Sequence, residues 1–225
     1  MNYTSNNRAT ISGKVTSEIQ FSHEVFGEKF YQIMLEVRRL SDMSDIIPVT
    51  LSEKLLGVTD ISVDQMVTVV GQFRSYNKIM ESRSKLMLTV FAIDIMPIDE
   101  TINTNTIELI GFVCKPPIFR TTPFNREICD ILLAVNRAYN KSDYIPTIAW
   151  GRNARSMKYL SVGEQVQVFG RIQSRNYTKR LSDSVVENRI AYEVSISKIS
   201  VGDNIEYLEN VVAAGTSESY NASNY

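Results

Sequence analysis

The sequence is poor in the residues that form metal centres, disulfides and catalytic triads. Its 225 residues include two cysteines, Cys114 and Cys129, and one histidine, His23. Metal sites and Ser-His-Asp triads need several such side chains at fixed spacing, so a histidine-based metal site and triad chemistry are excluded. The two cysteines have no partners at ligand spacing, and we expect both to be small buried apolar residues.

The short motifs of common enzyme classes are missing too. The sequence has no GxxxxGK(S/T) phosphate loop, no GxSxG, no HExxH and no CxxC pair. Carboxylate pairs such as Asp42 with Asp45 lie in turn-like segments, where such residues usually face solvent or cap a backbone N–H. We therefore predict a protein without enzymatic activity, cofactor or metal.

Long apolar runs are absent as well. No stretch predicts a membrane span, and none joins a basic start to an apolar segment as a secretory leader does. Hydrophobic residues make up 44% and charged residues 22% of the chain, which is typical of a globular protein with a packed core. We expect a soluble protein of the reducing cytoplasm, without membrane contact.

What the sequence does contain is an internal repeat. The segment ATISGKV resembles IELIGFV, and IMLEVRRLSDMSDIIPVTL resembles ILLAVNRAYNKSDYIPTIA, both at an offset of 98 residues. Further on, VTVVGQFRS matches VQVFGRIQS at an offset of 99, and the terminal strand patterns pair at about 104. A repeat of this length indicates two copies of one domain. We place them at residues 1–104 and 105–204, followed by a tail at 205–225.

Each copy predicts an all-β domain. Five short strand patterns are separated by turn residues, with one helical segment between the third and fourth strands, which is the order of an OB-fold barrel. The helical segments are SEKLLG in the first copy and RNARSMKYL in the second, where Ala154, Met157 and Leu160 share one helical face. The tail begins with a helical pattern and ends in small polar residues that we expect to be disordered.

Charge is divided unequally between the two copies, although the whole chain has a net charge of −1. Residues 1–104 carry ten Lys and Arg against thirteen Asp and Glu, whereas residues 105–204 carry fourteen against nine. A cationic surface therefore belongs to the second copy, and polyanions are its natural partners.

Aromatic side chains accompany these cations. Strand side chains alternate between two faces, so Tyr144 and Trp150 fall on one face of the strand YIPTIAW, roughly 20 Å apart. Exposed aromatic rings beside basic residues are what sequence-tolerant binding of single-stranded nucleic acid requires. The alternative is that the two rings belong to the core, because aromatic residues dominate cores as well.

The second copy resembles the bacterial single-stranded DNA-binding proteins of the SSB type, an OB-fold family. The resemblance covers about a hundred residues and rests on Gly111, Pro117, the RTTP segment at 120–123, LAVNR, the DYIP and AWG strand, the turn at Leu160 to Gly163, and GRIQSR with a following tyrosine. It implies base stacking at four aromatic positions. These are Tyr139, Tyr144, Trp150 and Tyr177.

The resemblance and the local charge together imply a function. We expect a protein that coats single-stranded DNA in replication, recombination and repair, and that is associated with the nucleoid. The cations expected to contact phosphates are Arg137, Lys141, Arg152, Arg155, Arg171, Arg175 and Lys179. Two alternatives are an OB-fold interaction protein that holds an assembly such as a primosome together, and an RNA-binding OB protein.

The first copy departs from this pattern. At the positions of Tyr139, Tyr144 and Trp150 it has Ser41, Ile46 and Ser52, and Tyr76 is its aromatic nearest to the counterpart of Tyr177. We therefore expect a degenerate barrel with mainly a structural or assembly role. The basic residues that leave phosphate contacts open are Arg38, Arg39, Arg74, Lys78, Arg83 and Lys85.

The resemblance also bears on assembly and partners. Family members with one barrel per chain typically form tetramers, so a two-barrel chain is expected to form a homodimer with four barrels. Many family members end in an acidic run with an apolar tip that recruits replication or repair proteins. The tail here has no acidic run and ends in Tyr225, so it departs from this pattern, and replication or repair proteins stay open as partners.

Overall fold

The computed structural model describes residues 6–80, 83–98, 104–180 and 186–202. The predicted tail therefore lies outside the described residues. Strands and two short helices follow one another in chain order. They are β1 (Asn7–Val15), β2 (Gln20–Val25), β3 (Glu28–Arg38), β4 (Ser44–Ser52), α1 (Glu53–Leu56), β5 (Met66–Met80), β6 (Arg83–Pro97), β7 (Asn105–Val113), β8 (Ile118–Thr121), β9 (Glu127–Arg137), β10 (Lys141–Trp150), α2 (Gly151–Met157), β11 (Gln165–Arg180) and β12 (Val186–Val201).

Two closed barrels follow from the strand pairing. The first has the order β1-β5-β6-β4-β3 and closes where β3 pairs back onto β1, and the second has the order β7-β11-β12-β10-β9 and closes between β7 and β9. Each barrel has one short helix, as predicted, with α1 between β4 and β5 and α2 between β10 and β11. The prediction of two tandem OB-fold barrels is therefore confirmed.

The pairing registers reproduce the sequence repeat residue by residue. Pro48 lies opposite Met34, and Pro146 lies opposite Leu132. All four residues keep the offset of 98. The parallel pairs Val49 with Val90 and Thr147 with Val194 are also equivalent, with the later strand shifted by 104. The offset is already 99 at β11, so five of the six extra residues lie in the hairpin between β11 and β12.

A glycine fixes the bulge in the long hairpin of each barrel. The register shifts between Val70 and Gly71 in the first barrel and at Gly170 in the second. A Cβ atom at Gly71 would lie 2.2 Å from the carbonyl oxygen of Phe91, and one at Gly170 would lie equally close to that of Ser195. Only glycine admits this approach of two backbones, which lets the strand bend into a barrel.

The structure adds one short strand to the five predicted in each barrel. These strands, β2 and β8, pair only with β3 and β9 and stand at the two ends of the sheet order. Every residue of β2 is exposed. The alternation of buried and exposed residues that reveals a strand in a sequence is therefore missing from it.

The cores are built from the inward residues of each strand. In β3, Ile33, Leu35 and Val37 are fully buried. The sequence alone is compatible with either a core or a contact surface at these positions, and the structure shows that they belong to the core. In α2, Ala154 and Met157 are buried as predicted, and Leu160 packs against the same cluster. Burying each large aliphatic side chain contributes about 1.5–3 kcal/mol.

The two barrels join through their first strands. Residues 7–11 of β1 pair antiparallel with residues 105–109 of β7, and Ala9 lies opposite Ile107. These two residues are equivalent in the repeat, so the joint has a local two-fold symmetry. At the same level Asn7 exchanges hydrogen bonds with the backbone of Phe73, and its counterpart Asn105 does so with Ile172.

Candidate nucleic-acid interface

Tyr144 and Trp150 both point outward from β10. Tyr144 is 47% exposed and Trp150 is 40% exposed, whereas Ile145 and Ala149 on the opposite face are fully buried. The prediction that the two rings share the outer face of one strand is thus confirmed, and neither ring is a core residue. Partly exposed rings along a strand can hold separate bases of one single strand by stacking.

Trp150 also begins a helix without capping it. It is the N-cap residue of α2, and its side chain makes no cap hydrogen bond. The equivalent residue of the first barrel, Ser52, accepts a hydrogen bond from the backbone N–H of Leu55 and caps α1. A serine at an N-cap is typically worth about 0.5–2 kcal/mol over an apolar residue. The second barrel therefore has an aromatic ring at a position where a side chain that caps the helix is usual.

Tyr139 lies beyond the end of β9 rather than within the strand. It occupies the three-residue connection between β9 and β10, where its φ is 62°, and its side chain is 94% exposed. The left-handed region costs an L-residue roughly 1–2 kcal/mol, and tyrosine is an uncommon residue there. The ring consequently stands at the tip of a hairpin, almost fully exposed to solvent.

Tyr177 lies away from Trp150, in the long hairpin of β11 and β12. It lines a groove between the barrels together with Pro146 and the first-barrel residues Lys85 and Leu86. Pro146 belongs to the outer face of β10, between Tyr144 and Trp150. The structure therefore connects Tyr177 with the Tyr144 end of the aromatic row, whereas Trp150 lines a separate depression with the β8–β9 turn.

The predicted phosphate contacts fall into two groups. Four of the cations already contact an acceptor of the protein. Three of them lie beside a carboxylate, with Arg137 3.5 Å from Asp143, Arg155 2.5 Å from Glu127 and Arg175 3.7 Å from Glu193. The fourth, Arg171, donates a hydrogen bond to Gln173 at 3.3 Å. Lys141, Arg152 and Lys179 are exposed, and they form no ion pair with any described residue. These three cations are the ones best placed to gain a phosphate contact.

A buried carboxylate in each barrel binds the other barrel. Asp45 accepts hydrogen bonds from the backbone N–H of Ser174 at 2.6 Å and from Arg39, whose Nε lies 2.8 Å away. Its counterpart Asp143 accepts one from the backbone N–H of Ser75, the counterpart of Ser174, at 2.7 Å. Sequence reasoning missed this reciprocal contact. The only signal was an aspartate at the same repeat position in both copies.

The two carboxylates are in different electrostatic states. Burial alone would raise the pKa of Asp45, but the hydrogen bonds from Arg39 and Ser174 outweigh it, and the pKa lies below its ordinary value. Burial raises the pKa of Asp143, because one backbone hydrogen bond from Ser75 and the more distant charge of Arg137 only partly compensate for lost hydration. The contact on Asp45 therefore stabilises the charged carboxylate better.

The remaining sequence features stay separate from this interface. Cys129 is buried and Cys114 is half-buried, both are free thiols, and burial raises the pKa of each. Among the described residues, no group of three or more His, Cys, Asp and Glu side chains could hold a metal ion. Nor does the described part of the chain contain a helix long and apolar enough to cross a membrane.

Comparison with known proteins identifies a family for the second barrel. The model of the single-strand binding protein family matches residues 104–201, which form the second barrel. The chain is 33% identical over 112 residues to single-stranded DNA-binding protein 1 of Staphylococcus aureus, over 47% of this chain and 61% of that protein. It is also 33% identical over 100 residues to the single-stranded DNA-binding protein of Clostridium tetani, over 39% of this chain and 69% of that protein.

A solved structure is similar over both barrels. The single-stranded DNA binding protein from Thermus aquaticus has a TM-score of 0.72 at 18% identity, covering 87% of this chain and 92% of that one. At this identity the likeness shows the fold alone. The matched sequence spans 61% of the Staphylococcus relative but more than two thirds of the Clostridium relative. On the combined sequence and family matches, this chain belongs to the single-strand binding protein family.

Proposed function

We propose that this protein binds single-stranded DNA without strong sequence preference and coats it during replication, recombination and repair. The observation that carries the proposal is the outer face of β10, where Tyr144 and Trp150 stand partly exposed above a buried inner face. Stacking tolerates any base because every base has a π-face, and it is worth about 1–3 kcal/mol per base. The names of the relatives point to the same ligand.

The strand path we propose follows the second barrel. Bases stack on Tyr139 at the hairpin tip and on the rings of β10, and Tyr177 receives a base in the groove beside Pro146. Phosphates pair with the exposed cations Lys141, Arg152 and Lys179 and, after partial exchange of their present partners, with the other basic residues. Each neutralised phosphate releases counterions, so affinity falls with salt.

The first barrel has a positioning role in this proposal. It pairs β1 with β7 and binds the second barrel through Asp45 and through Ser75, whose hydroxyl accepts a hydrogen bond from the N–H of Tyr144 at 2.7 Å. Residues 1–104 thus hold the aromatic strand of residues 105–204 in place. We propose further that two chains associate into a homodimer with four barrels, which sedimentation equilibrium would report as twice the chain mass of 25.5 kDa.

The rival reading, a protein that only holds an assembly together, needs Trp150 in a core. Its exposed fraction of 40% favours a binding role instead. A nucleic-acid ligand would place the protein at the nucleoid in the cytoplasm. Because stacking does not sense the 2′-OH, the choice between DNA and RNA is tested with matched dT and rU oligomers.

The decisive experiment uses the single tryptophan. Intrinsic fluorescence of Trp150 is titrated with dT oligomers at low and high salt. Strong quenching that weakens with salt is the expected result, because a stacked base contacts the indole and phosphates displace counterions. Absence of both quenching and binding would overturn the proposal and leave the assembly role.

A further inference from the structure

The first barrel contains an open pocket of about 540 Å³ on its outer face. This volume is within the range of roughly 300–1,000 Å³ that holds small-molecule ligands. Its walls come from the arm β2, from β3, β5 and β6, and from Arg137 of the second barrel. Phe30 and Phe91 form its apolar floor, and buried Thr50 and Thr89 lie beside them.

The aromatic rings of this pocket touch one another in a chain. The ring of His23 stacks on Phe30 with centroids 5.0 Å apart and an interplanar angle of 15°, and Phe30 lies 5.7 Å from Phe91. His23 stands on the exposed arm β2, whose residues are otherwise not anchored in the core. Tyr76, 38% exposed, borders the same opening. The pocket thus presents several π-faces at once.

Two guanidinium groups complete the pocket. The guanidinium carbon of Arg74 lies 3.8 Å from the centroid of the Phe91 ring, and its Nη2 donates to Gln72 at 2.8 Å, which fixes the group over the ring. Arg137 enters from the second barrel, and its Nε lies 3.5 Å from the carboxylate of Asp143 without a hydrogen bond to any described residue. Both cations act electrostatically on the carboxylate of Asp143, which places them on the same side of the pocket.

The second barrel has none of these rings at the equivalent positions. Phe30 corresponds to Ile128, and Phe91, which pairs with Thr50, corresponds to Ser195. The converse also holds, since Trp150 lies opposite Ile128 in the second barrel while Ser52 lies opposite Phe30 in the first. The same cross-strand position therefore carries one large ring in both barrels, on opposite strands of the pair.

The pocket is continuous with the aromatic row of the second barrel. Arg137 stands in its wall and ends the strand that leads to Tyr139, while Ser75, another wall residue, binds the backbone of Tyr144. We propose that this pocket is a second base-and-phosphate site, in which a nucleotide of the same single strand stacks on the rings of Phe30, Phe91 and His23. Its phosphate pairs with Arg74 and Arg137. The proposal rests on the proposed function and gives the first barrel a binding role in addition to its positioning one.

The occupant follows from the chemistry of the pocket. Aromatic and guanidinium planes side by side are the surfaces on which unpaired bases stack, and guanidinium groups also bind the phosphate between two bases. Arg137 lies two residues before Tyr139 and lines the pocket, so in this proposal a strand stacked on Tyr139 continues into the pocket. The site size of the chain should therefore exceed that of one barrel.

The test compares two exposed or partly exposed residues of the pocket with a matched control. Phe91→Ser installs the residue of the second barrel, His23→Ala removes a ring from an exposed arm, and Phe26→Ala removes a fully exposed ring from the tip of the same arm. Each variant is titrated with a dT oligomer of about 8 nucleotides and one of about 30, lengths below and above the span of one OB barrel. Trp150 quenching and the length of poly(dT) occluded per chain are recorded, with melting temperature as the folding control.

The expected result is specific for long strands. Phe91→Ser and His23→Ala should weaken binding of the long oligomer roughly 5- to 150-fold and shorten the occluded length, because a stacking contact is lost. Phe26→Ala should match the wild type, and quenching by the short oligomer should persist in all three. His23→Ala carries the test if Phe91→Ser lowers the melting temperature, since its side chain is exposed.

Two other outcomes separate the two proposals. The pocket would be overturned if His23→Ala and folded Phe91→Ser bound the long oligomer with wild-type affinity and occluded the wild-type length of poly(dT). Trp150 quenching would be intact in that case, and the proposed function would stand. Absence of quenching and binding in the wild-type protein would remove both. A 5-iodo-dU oligomer cross-linked to residues 20–31 or 74–91 would support the pocket directly.

Discussion

The two barrels have one fold and one reciprocal contact, but they carry their aromatic rings on different strands. In the second barrel the rings lie on β10 and its hairpin, at Tyr139, Tyr144 and Trp150. In the first they lie on β3 and β6, at Phe30 and Phe91. The inward residues of the two barrels are mostly aliphatic, and Phe73 is the fully buried aromatic ring among the described residues. Outward positions are not needed for the fold, so they can diverge between the two barrels without loss of either core.

The residue that begins the short helix of each barrel also differs between the two barrels. Ser52 caps α1 in the first barrel, whereas Trp150 begins α2 without a cap. An aromatic ring in place of a capping hydroxyl lowers helix stability by about 1 kcal/mol. A capping residue at position 150 would therefore make the second barrel more stable. The loss of such a cap is expected where a residue is selected for binding rather than for stability.

The largest expected difference between the barrels concerns their buried aspartates. Asp45→Asn should lower the free energy of unfolding by about 3 kcal/mol, because it removes the charge partner of Arg39 in a buried pair. Asp143→Asn should change it by less than about 1 kcal/mol, because ionisation of Asp143 is already opposed by burial. Urea unfolding at neutral pH measures both, and equal losses would contradict the opposite pKa shifts of the two groups.

The same pair predicts opposite pH dependences. The folded-state pKa of Asp45 lies below its unfolded value, so its contribution is present above about pH 4 and is lost as the pH falls through the folded pKa. The folded-state pKa of Asp143 lies above its unfolded value, so its contribution is lost as the pH rises through the folded pKa. Asp45→Asn should flatten the acid decline of stability, and Asp143→Asn should not.

Binding of a short single-stranded oligomer should depend on the aromatic rings of the second barrel and not on the residues at the same repeat positions of the first barrel. Trp150→Ala and Tyr144→Ala should each weaken binding of a dT oligomer of about 8 nucleotides roughly 5- to 150-fold, because one stacked base is lost. Ser52→Ala and Ile46→Ala are the matched changes in the first barrel and should leave affinity unchanged. Anisotropy of a labelled oligomer replaces tryptophan fluorescence here. Full affinity in Trp150→Ala would remove this ring from the interface.

Salt dependence should distinguish cations that are paired from those that are not. Arg152→Gln should reduce the slope of log affinity against log salt by about 0.7, the value for one phosphate contact with a single strand. Arg155→Gln is the control on the same helix and should reduce it less, because Arg155 already contacts Glu127. Titrations at four salt concentrations give the slopes, and identical slopes for both variants would show that the Glu127 contact yields to phosphate.

The smallest expected effect is that of the helix cap. Ser52→Ala should lower the free energy of unfolding by about 0.5 kcal/mol, the lower end of capping effects, because α1 has only four residues. The exposed loop residue Ser41 provides the control, and Ser41→Ala should leave stability unchanged. Chemical denaturation resolves the two when they are measured side by side. A loss above about 2 kcal/mol in Ser52→Ala would indicate a role for Ser52 beyond the cap.

Much of the fold could be predicted because its signals are local. The repeat, the helix with Ala154 and Met157, and the outward placement of Tyr144 and Trp150 follow from periodicity and offset alone. The arm β2 could not be predicted because all its residues are exposed and leave no alternating pattern. The aromatic pocket of the first barrel was missed because its rings come from separate strands and are not at the positions of the family motif.

The sequence by itself determined two OB barrels, their order, and the face of β10 on which Tyr144 and Trp150 lie. Only the tertiary structure decided how the barrels meet, because the pairing of β1 with β7 brings together residues far apart in the chain. Asp45 and Ser174 are separated by 129 positions, and Asp143 and Ser75 by 68. The position of Tyr177 and of Arg137 in grooves shared by both barrels depends on the same joint. Periodicity describes one strand at a time, and a contact between two domains has no period.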